Sequence, residues 1–235
     1  PMIARTDSSY DPAIPERLID LYLPDAPAER ILVWFHGGGL TSGTRHIDPA
    51  WARFVTDRRC AIASVEYRLA PKARHPDWLA DAAAAVRWTR DEIAAAGAAD
   101  VPLFLAGHSA GAWVALMTGM DARWLAAEGI ALVDIAGIIP ISGQATTHHC
   151  IREHQGLARE VYSVDHAAPI FHARADVPPI LAFSGGEDMA LRSAENRFLM
   201  EVLTANGHAD HAFHEIPGRD HSGVASGLAQ AGDPL

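Results

Sequence analysis

Short apolar runs alternate with longer segments of helical period along this chain of 235 residues. Ile31–Phe35, Ala61–Val65, Leu103–Ala106, Ile135–Ile141 and Pro179–Phe183 are largely unbroken apolar runs. Such runs suit strands buried on both faces, as in a parallel sheet covered by helices. Ile19–Leu23 alternates and predicts an early edge strand, and Phe213–Ile216 predicts the last central strand. Between the strands, Asp77 to about Ala96 is Ala-rich and stops at Gly97, Ala112 to about Ala127 is helical, and Arg192–Asn206 is amphipathic. A short helix is expected after His221. This alternation predicts an α/β fold, a mostly parallel sheet with helices on both faces, as a single domain over residues 1–235. The longest irregular stretch, Ser142 to Val177, follows a predicted strand. Loops at the carboxyl ends of parallel strands border the ligand crevice, so this stretch reads either as a pocket wall or as a surface excursion with a short helix.

Composition narrows the class. At 49% hydrophobic and 20% charged the chain is an ordinary globule. A formal charge of −10 opposes nucleic-acid binding, which needs a basic face. No apolar run is long enough to span a bilayer, and the N-terminal residues lack a signal-peptide core. A cytoplasmic location is expected, although Pro1 ahead of Met2 leaves room for a removed leader. Cys60 and Cys150 are expected to be reduced thiols.

Gly107-His108-Ser109-Ala110-Gly111 has the form G-x-S-x-G, entered by an apolar strand and left by an apolar helix. A nucleophile on so tight a turn needs small residues two positions away, which Gly107 and Gly111 supply. The turn would lift the Ser109 hydroxyl clear of the sheet, at a helix N-terminus that favours developing negative charge. His36-Gly37-Gly38-Gly39 follows an earlier strand. Glycines let backbone N–H groups approach a carbonyl oxygen, so Gly38, Gly39 and Ala110 are the expected oxyanion donors, with Gly37 shaping the turn.

A serine hydroxyl needs a base. Of 13 histidines, His221 lies in the loop after the last predicted strand and preserves the order Ser, Asp, His. His108 adjoins the nucleophile, but the turn should direct its side chain elsewhere. Asp188, just beyond the Pro179–Phe183 strand, is the expected acid that orients the imidazole. Glu187 is its main rival and Asp220 a weaker one. His208, His211 and His214, spaced by three, and the pair His148-His149 invite a metal reading. No HExxH or CxxC accompanies them, and an extended strand would split His211 from His214, so no metal or organic cofactor is expected.

HGGG, YRLAP at Tyr67–Pro71, GHSAG, GGED and DHSG around His221 occur in this order over nearly the whole chain. In this the sequence resembles the hormone-sensitive-lipase-like branch of the α/β-hydrolases, the bacterial acetyl esterase and carboxylesterase group. The resemblance implies an eight-stranded sheet and activity on short acyl esters. It carries the nucleophile to Ser109, the acid to Asp188, the base to His221 and the oxyanion donors to Gly38, Gly39 and Ala110. Tyr67 and Arg68 read as structural. Two departures stand out: only 35 residues precede His36, so an N-terminal helical cap is not expected and an open pocket is, and Glu66 stands where such sequences usually have Asp or Asn.

The expectation is a serine carboxylesterase acting on a small-molecule ester without a cofactor. Arylformamidases or amidases, and feruloyl or acetyl-xylan esterases, are the enzymatic alternatives. A ligand-binding receptor on a hydrolase scaffold is the non-enzymatic one, and it should have lost a triad member. Polar residues at Gln144, Thr146, Thr147, His148 and His149 predict hydrogen bonds rather than a deep acyl channel.

Overall fold

The computed structural model describes residues 2–228. Eight strands form one sheet: β1 (Ile3–Ser9), β2 (Leu18–Leu23), β3 (Arg30–Phe35), β4 (Cys60–Val65), β5 (Leu103–His108), β6 (Ile135–Ile141), β7 (Ile180–Glu187) and β8 (His211–Asp220). Their order is β1-β2-β4-β3-β5-β6-β7-β8. Pairings β1–β2 and β2–β4 are antiparallel, and all the others are parallel.

Period-two alternation in the strands divides the core between the two faces. Ile31, Val33 and Phe35 of β3 join Ala61, Ala63 and Val65 of β4 on the larger face. Trp34 and Ile62 point to the smaller one. Helices α2 (Asp77–Ala95), α3 (Ala110–Met120) and α6 (Arg192–Ala205) supply side chains to the larger core. On the other face α1 (Pro49–Thr56) sets Trp51 against Trp34, with ring centroids 4.8 Å apart, and α7 (Gly223–Ser226) adds Val224. Every residue of α3 is buried, which explains its lack of a polar stripe.

Several boundaries differ from the sequence reading. Ile19–Leu23 is not the edge, because β1 pairs outside it. The exposed, mostly polar β1 has no apolar alternation by which to be read. Phe213–Ile216 lies within β8, which is the opposite edge of the sheet rather than a central strand. The helix expected from Ala112 to Ala127 is two, α3 and α4 (Ala122–Ala127). Asp121 breaks it by taking an extended conformation and accepting from the Arg123 N–H as the cap of α4. The stretch 142–177 contains α5 (His149–His154) and a 3₁₀ turn at Pro169–His172. Among the described residues no helix precedes β3.

Candidate active site

The site lies along the carboxyl ends of the parallel strands. Ser109, Asp188 and His221 are each the first residue after a strand, namely β5, β7 and β8. Gly38 and Gly39 follow β3 by three and four positions. Strand pairing therefore sets these residues side by side, although Ser109 and His221 are 112 positions apart.

Ser109 has φ 56° and ψ −118°, a sparsely populated conformation for a residue with a side chain, at the N-cap of α3. The turn is tight enough that a Cβ on Gly107 would strike the backbone of Gly111, and one on Gly111 would strike the carbonyl of Phe35. The hydroxyl donates to Nε2 of His221 at 2.8 Å. Nδ1 of His221 donates to Oδ1 of Asp188 at 2.6 Å. The carboxylate is further held by the Ser142 hydroxyl at 2.5 Å, the Met189 N–H at 2.7 Å and the Gly185 N–H at 3.2 Å. Burial alone would raise the pKa of Asp188; the bonds from His221, Ser142 and Met189 outweigh it and hold the group well below the ordinary carboxylate range. Glu187 is exposed, and Asp220 accepts from the Gly223 N–H. Among the described residues neither rival to Asp188 bonds to the His221 ring, which pairs with Asp188.

Gly38 and Gly39 line the cavity over Ser109. Gly38 has φ 114°, where a side chain is strained and a Cβ would collide with the Ser42 carbonyl, and Gly39 has φ 66°, in the left-handed region that favours glycine. The Gly38 carbonyl is tied down by the N–H groups of Thr41 and Ser42. Neither glycine N–H bonds to another described backbone group, which leaves both open to a ligand. Ala110 follows Ser109, and its N–H lies in the first turn of α3, without an intrahelical acceptor. The loop is anchored beneath. Tyr67 donates from its hydroxyl to the His36 carbonyl at 2.6 Å, and its ring stacks on His36 with centroids 4.3 Å apart. Arg68 pairs with the buried Asp81. Glu66 accepts from the Arg45 N–H at 3.0 Å and lies 3.7 Å from His36. Among the described residues the longer acid is thus committed to Arg45 and makes no hydrogen bond to the glycine loop.

Two contacts with the triad were not evident in the sequence. His108 is not directed away: its Nε2–H donates to the backbone carbonyl of His221 at 2.7 Å, with ring centroids 4.9 Å apart. Burial lowers its pKa, so the ring is neutral at pH 7. Ser142 directly follows β6, and that position on the carboxyl edge was the available signal.

The cavity over Ser109 measures about 400 Å³. Its walls include Gln144, His148, His149 and Arg159 from the irregular stretch, together with Met189 and Arg192. Thr146 and Thr147 do not serve as polar lining; their hydroxyls donate to Glu195 and Asp165. Of the other histidines, His208 and His211 contact each other, while His214 stacks on Phe183. Among the described residues no group of three His, Cys, Asp or Glu side chains could hold a metal ion. Cys60 and Cys150 are buried and free. No described helix is long and apolar enough to cross a membrane.

A strand–turn–helix serine, bonded to a histidine that is bonded to an aspartate on one parallel sheet, defines an α/β-hydrolase architecture. The family model described as alpha/beta hydrolase fold matches residues 32–224, and the chain belongs to this family, the branch its motifs resemble. Esterase LipQ of Mycobacterium tuberculosis is 27% identical, over 92% of this chain and 56% of that protein. Esterase LipC of the same organism is 25% identical, over 88% of this chain and 57% of that protein. The chain thus spans little more than half the length of these curated relatives. Among solved structures, a truncated carbohydrate esterase from gut microbiota matches with a TM-score of 0.79 at 17% identity, over 94% of this chain and 90% of that one. Esterase B from Lactobacillus rhamnosis matches with a TM-score of 0.77 at 19% identity, over 99% of this chain and 82% of that one. At these identities the structural likeness is one of fold.

Proposed function

We propose that this chain is a serine carboxylesterase that cleaves short-chain acyl esters through an acyl-enzyme on Ser109. The observation that carries the reading is the hydrogen-bonded series Ser109–His221–Asp188, at 2.8 Å and 2.6 Å, opening into one cavity. The esterase names of LipQ and LipC support it. His221 takes the Ser109 proton as the hydroxyl oxygen attacks the ester carbonyl. The oxyanion accepts from the N–H groups of Gly38, Gly39 and Ala110. Collapse of the tetrahedral intermediate expels the alkoxide, which His221 protonates as it leaves. Water, deprotonated by the same histidine, then attacks the acyl group and restores Ser109.

The short-acyl preference rests on the lining. Among the side chains around Ser109, Met189 alone is a large apolar one; Thr41, Gln144, His148, His149, Arg159 and Arg192 are polar or charged. A long acyl chain gains about 0.8 kcal/mol per methylene only where apolar surface covers it. A panel of nitrophenyl esters from acetate to laurate tests the proposal. The expected kcat/KM peaks at about two to four acyl carbons and falls by eight. A continuous rise through decanoate would reject the short-acyl preference. Failure of a serine-directed phosphonate to label Ser109 would reject the mechanism.

A further inference from the structure

Beside the cavity over Ser109 lies another of about 320 Å³, whose lining includes Arg152, Glu160 and Tyr162. Gln144, His149, Arg159, Met189 and Arg192 line both, so the two form one continuous recess. Three guanidinium groups border this recess in a chain whose formal charge is −10.

Two of the three are buried with part of their donor set unpaired. Arg192 is 7% exposed and Arg152 1%. Nε and Nη1 of both are covered and make no hydrogen bond with a described residue. Their remaining contacts are soft. Nη2 of Arg192 lies 4.0 Å from the Met189 sulfur. Arg152 donates from Nη2 to the Arg159 carbonyl at 2.9 Å and sits 4.7 Å over the Tyr162 ring. Arg159 is half-exposed and reaches Glu153 only at 3.9 Å.

The neighbouring carboxylates are committed elsewhere. Glu195 accepts from the Ala145 and Thr146 N–H groups and the Thr146 hydroxyl. Asp188 holds His221 and Ser142. Glu195 and Asp188 act on Arg192 only through space, and a buried charge with no hydrogen-bonded counter-charge is unfavourable unless a ligand supplies one. The field is felt across the recess. The pKa of His149 is pushed down to about 4, first by burial and then by Arg159, Arg152 and Arg192. Its ring is therefore neutral at pH 7 and adds no charge.

We propose that this arginine-bordered recess binds a carboxylate carried by the ester substrate, making the chain selective for monoanionic esters over neutral ones of equal size. The inference rests on the esterase reading above, to which it adds the substrate class. A guanidinium presents a planar fork of donors that matches a carboxylate. Glu160 in the lining and Glu153 beside Arg159 temper the field, which suits one carboxylate better than a phosphate dianion. Met189, 48% exposed, is the flexible side chain that would move for an anion to reach Arg192.

Matched ester pairs test this, with spontaneous hydrolysis subtracted. In the acyl-side pair, 4-nitrophenyl hydrogen glutarate is compared with its methyl ester. In the alcohol-side pair, 4-acetoxybenzoate is compared with its methyl ester. The acid is expected to exceed its neutral partner at least tenfold in kcat/KM in one pair, which also shows the side on which the carboxylate sits. Arg192→Gln should lower that ratio about tenfold and Arg159→Gln about threefold; because Arg159 is exposed, its variant reports even where the buried one does not fold. Ratios at or below one in both pairs, with the neutral esters turned over, overturn the anion site and leave the esterase reading standing. If no ester is hydrolysed, calorimetry on Ser109→Ala decides. Binding of monomethyl glutarate but not dimethyl glutarate, weakened by Arg159→Gln, supports the recess without the esterase reading. Equal or absent binding of the two overturns it.

Discussion

On the floor of the cavity, Ser109, His221 and Asp188 form an unbroken series of hydrogen bonds, and Ser142, Met189 and Gly185 hold its far end. On the wall, Arg152 and Arg192 are more buried than the three residues of that series, yet leave guanidinium nitrogens without partners. The floor comes from residues that directly follow strands, so sheet pairing holds them. The wall comes from α5, the segment after it and the start of α6, which pack on the sheet through side chains. A group whose partners are all supplied by the protein is arranged to react in one geometry. A charged group with partners missing is arranged to receive them from a ligand. On the reading proposed above, chemistry and recognition are carried by separate parts of one recess.

Substitutions on the floor should have the largest effects. Ser109→Ala should lower kcat for a neutral nitrophenyl ester by about 10⁵–10⁶-fold with little change in Tm, since removing the nucleophile leaves only catalysis by binding and the oxyanion donors. Retention of a tenth of the wild-type turnover would end the nucleophile assignment.

Asp188→Asn should come next, at about 10³–10⁴-fold in kcat, because an amide, which can donate as well as accept and carries no charge, neither enforces the Nδ1–H tautomer nor stabilises the imidazolium as a carboxylate does. Glu187→Gln, at an exposed position, should stay within about twofold, since surface changes seldom matter. Equal losses from the two would break the contrast between a braced acid and a free neighbour.

His108→Phe should cost less, about tenfold in kcat with KM little altered, the scale of one lost hydrogen bond to a backbone carbonyl. A merely structural role would lower Tm without altering the kcat–pH profile. A positioning role alters that profile by loosening the His221 backbone.

The smallest effect belongs to the wall. His149 has its pKa lowered from 6.5 to about 4, so the unfolded chain takes up this proton first as pH falls. The fold therefore loses stability as pH drops from about 6.5 to about 4, and this contribution is fully present above that window. In His149→Gln the fall in Tm across the same window should be shallower. His148, lowered through burial, His149 and the same arginines, keeps the slope from vanishing. An unchanged slope would show that burial and the arginines together do not lower the His149 pKa.

Much of the floor was legible because its constraints are local. A nucleophile on a tight turn needs Gly107 and Gly111 within five residues, and backbone donors need Gly38 and Gly39 at unusual φ. Asp188 and His221 were legible by rank order, each just beyond an apolar run. By itself the sequence thus determined the strand–helix alternation, the elbow, the glycine loop and the choice of Asp188 over Glu187 as the expected acid. It did not show β1, whose side chains are nearly all exposed, or place β8 at an edge, because strand order depends on contacts between distant segments. Nor could it show that His108 turns back to the His221 carbonyl, or that Arg152, Arg159 and Arg192 share a recess. Arginines spread over 41 positions carry no periodic signal. Their burial and missing partners exist only once α5 and α6 are packed, because desolvation and the field between charges depend on distance in space rather than along the chain.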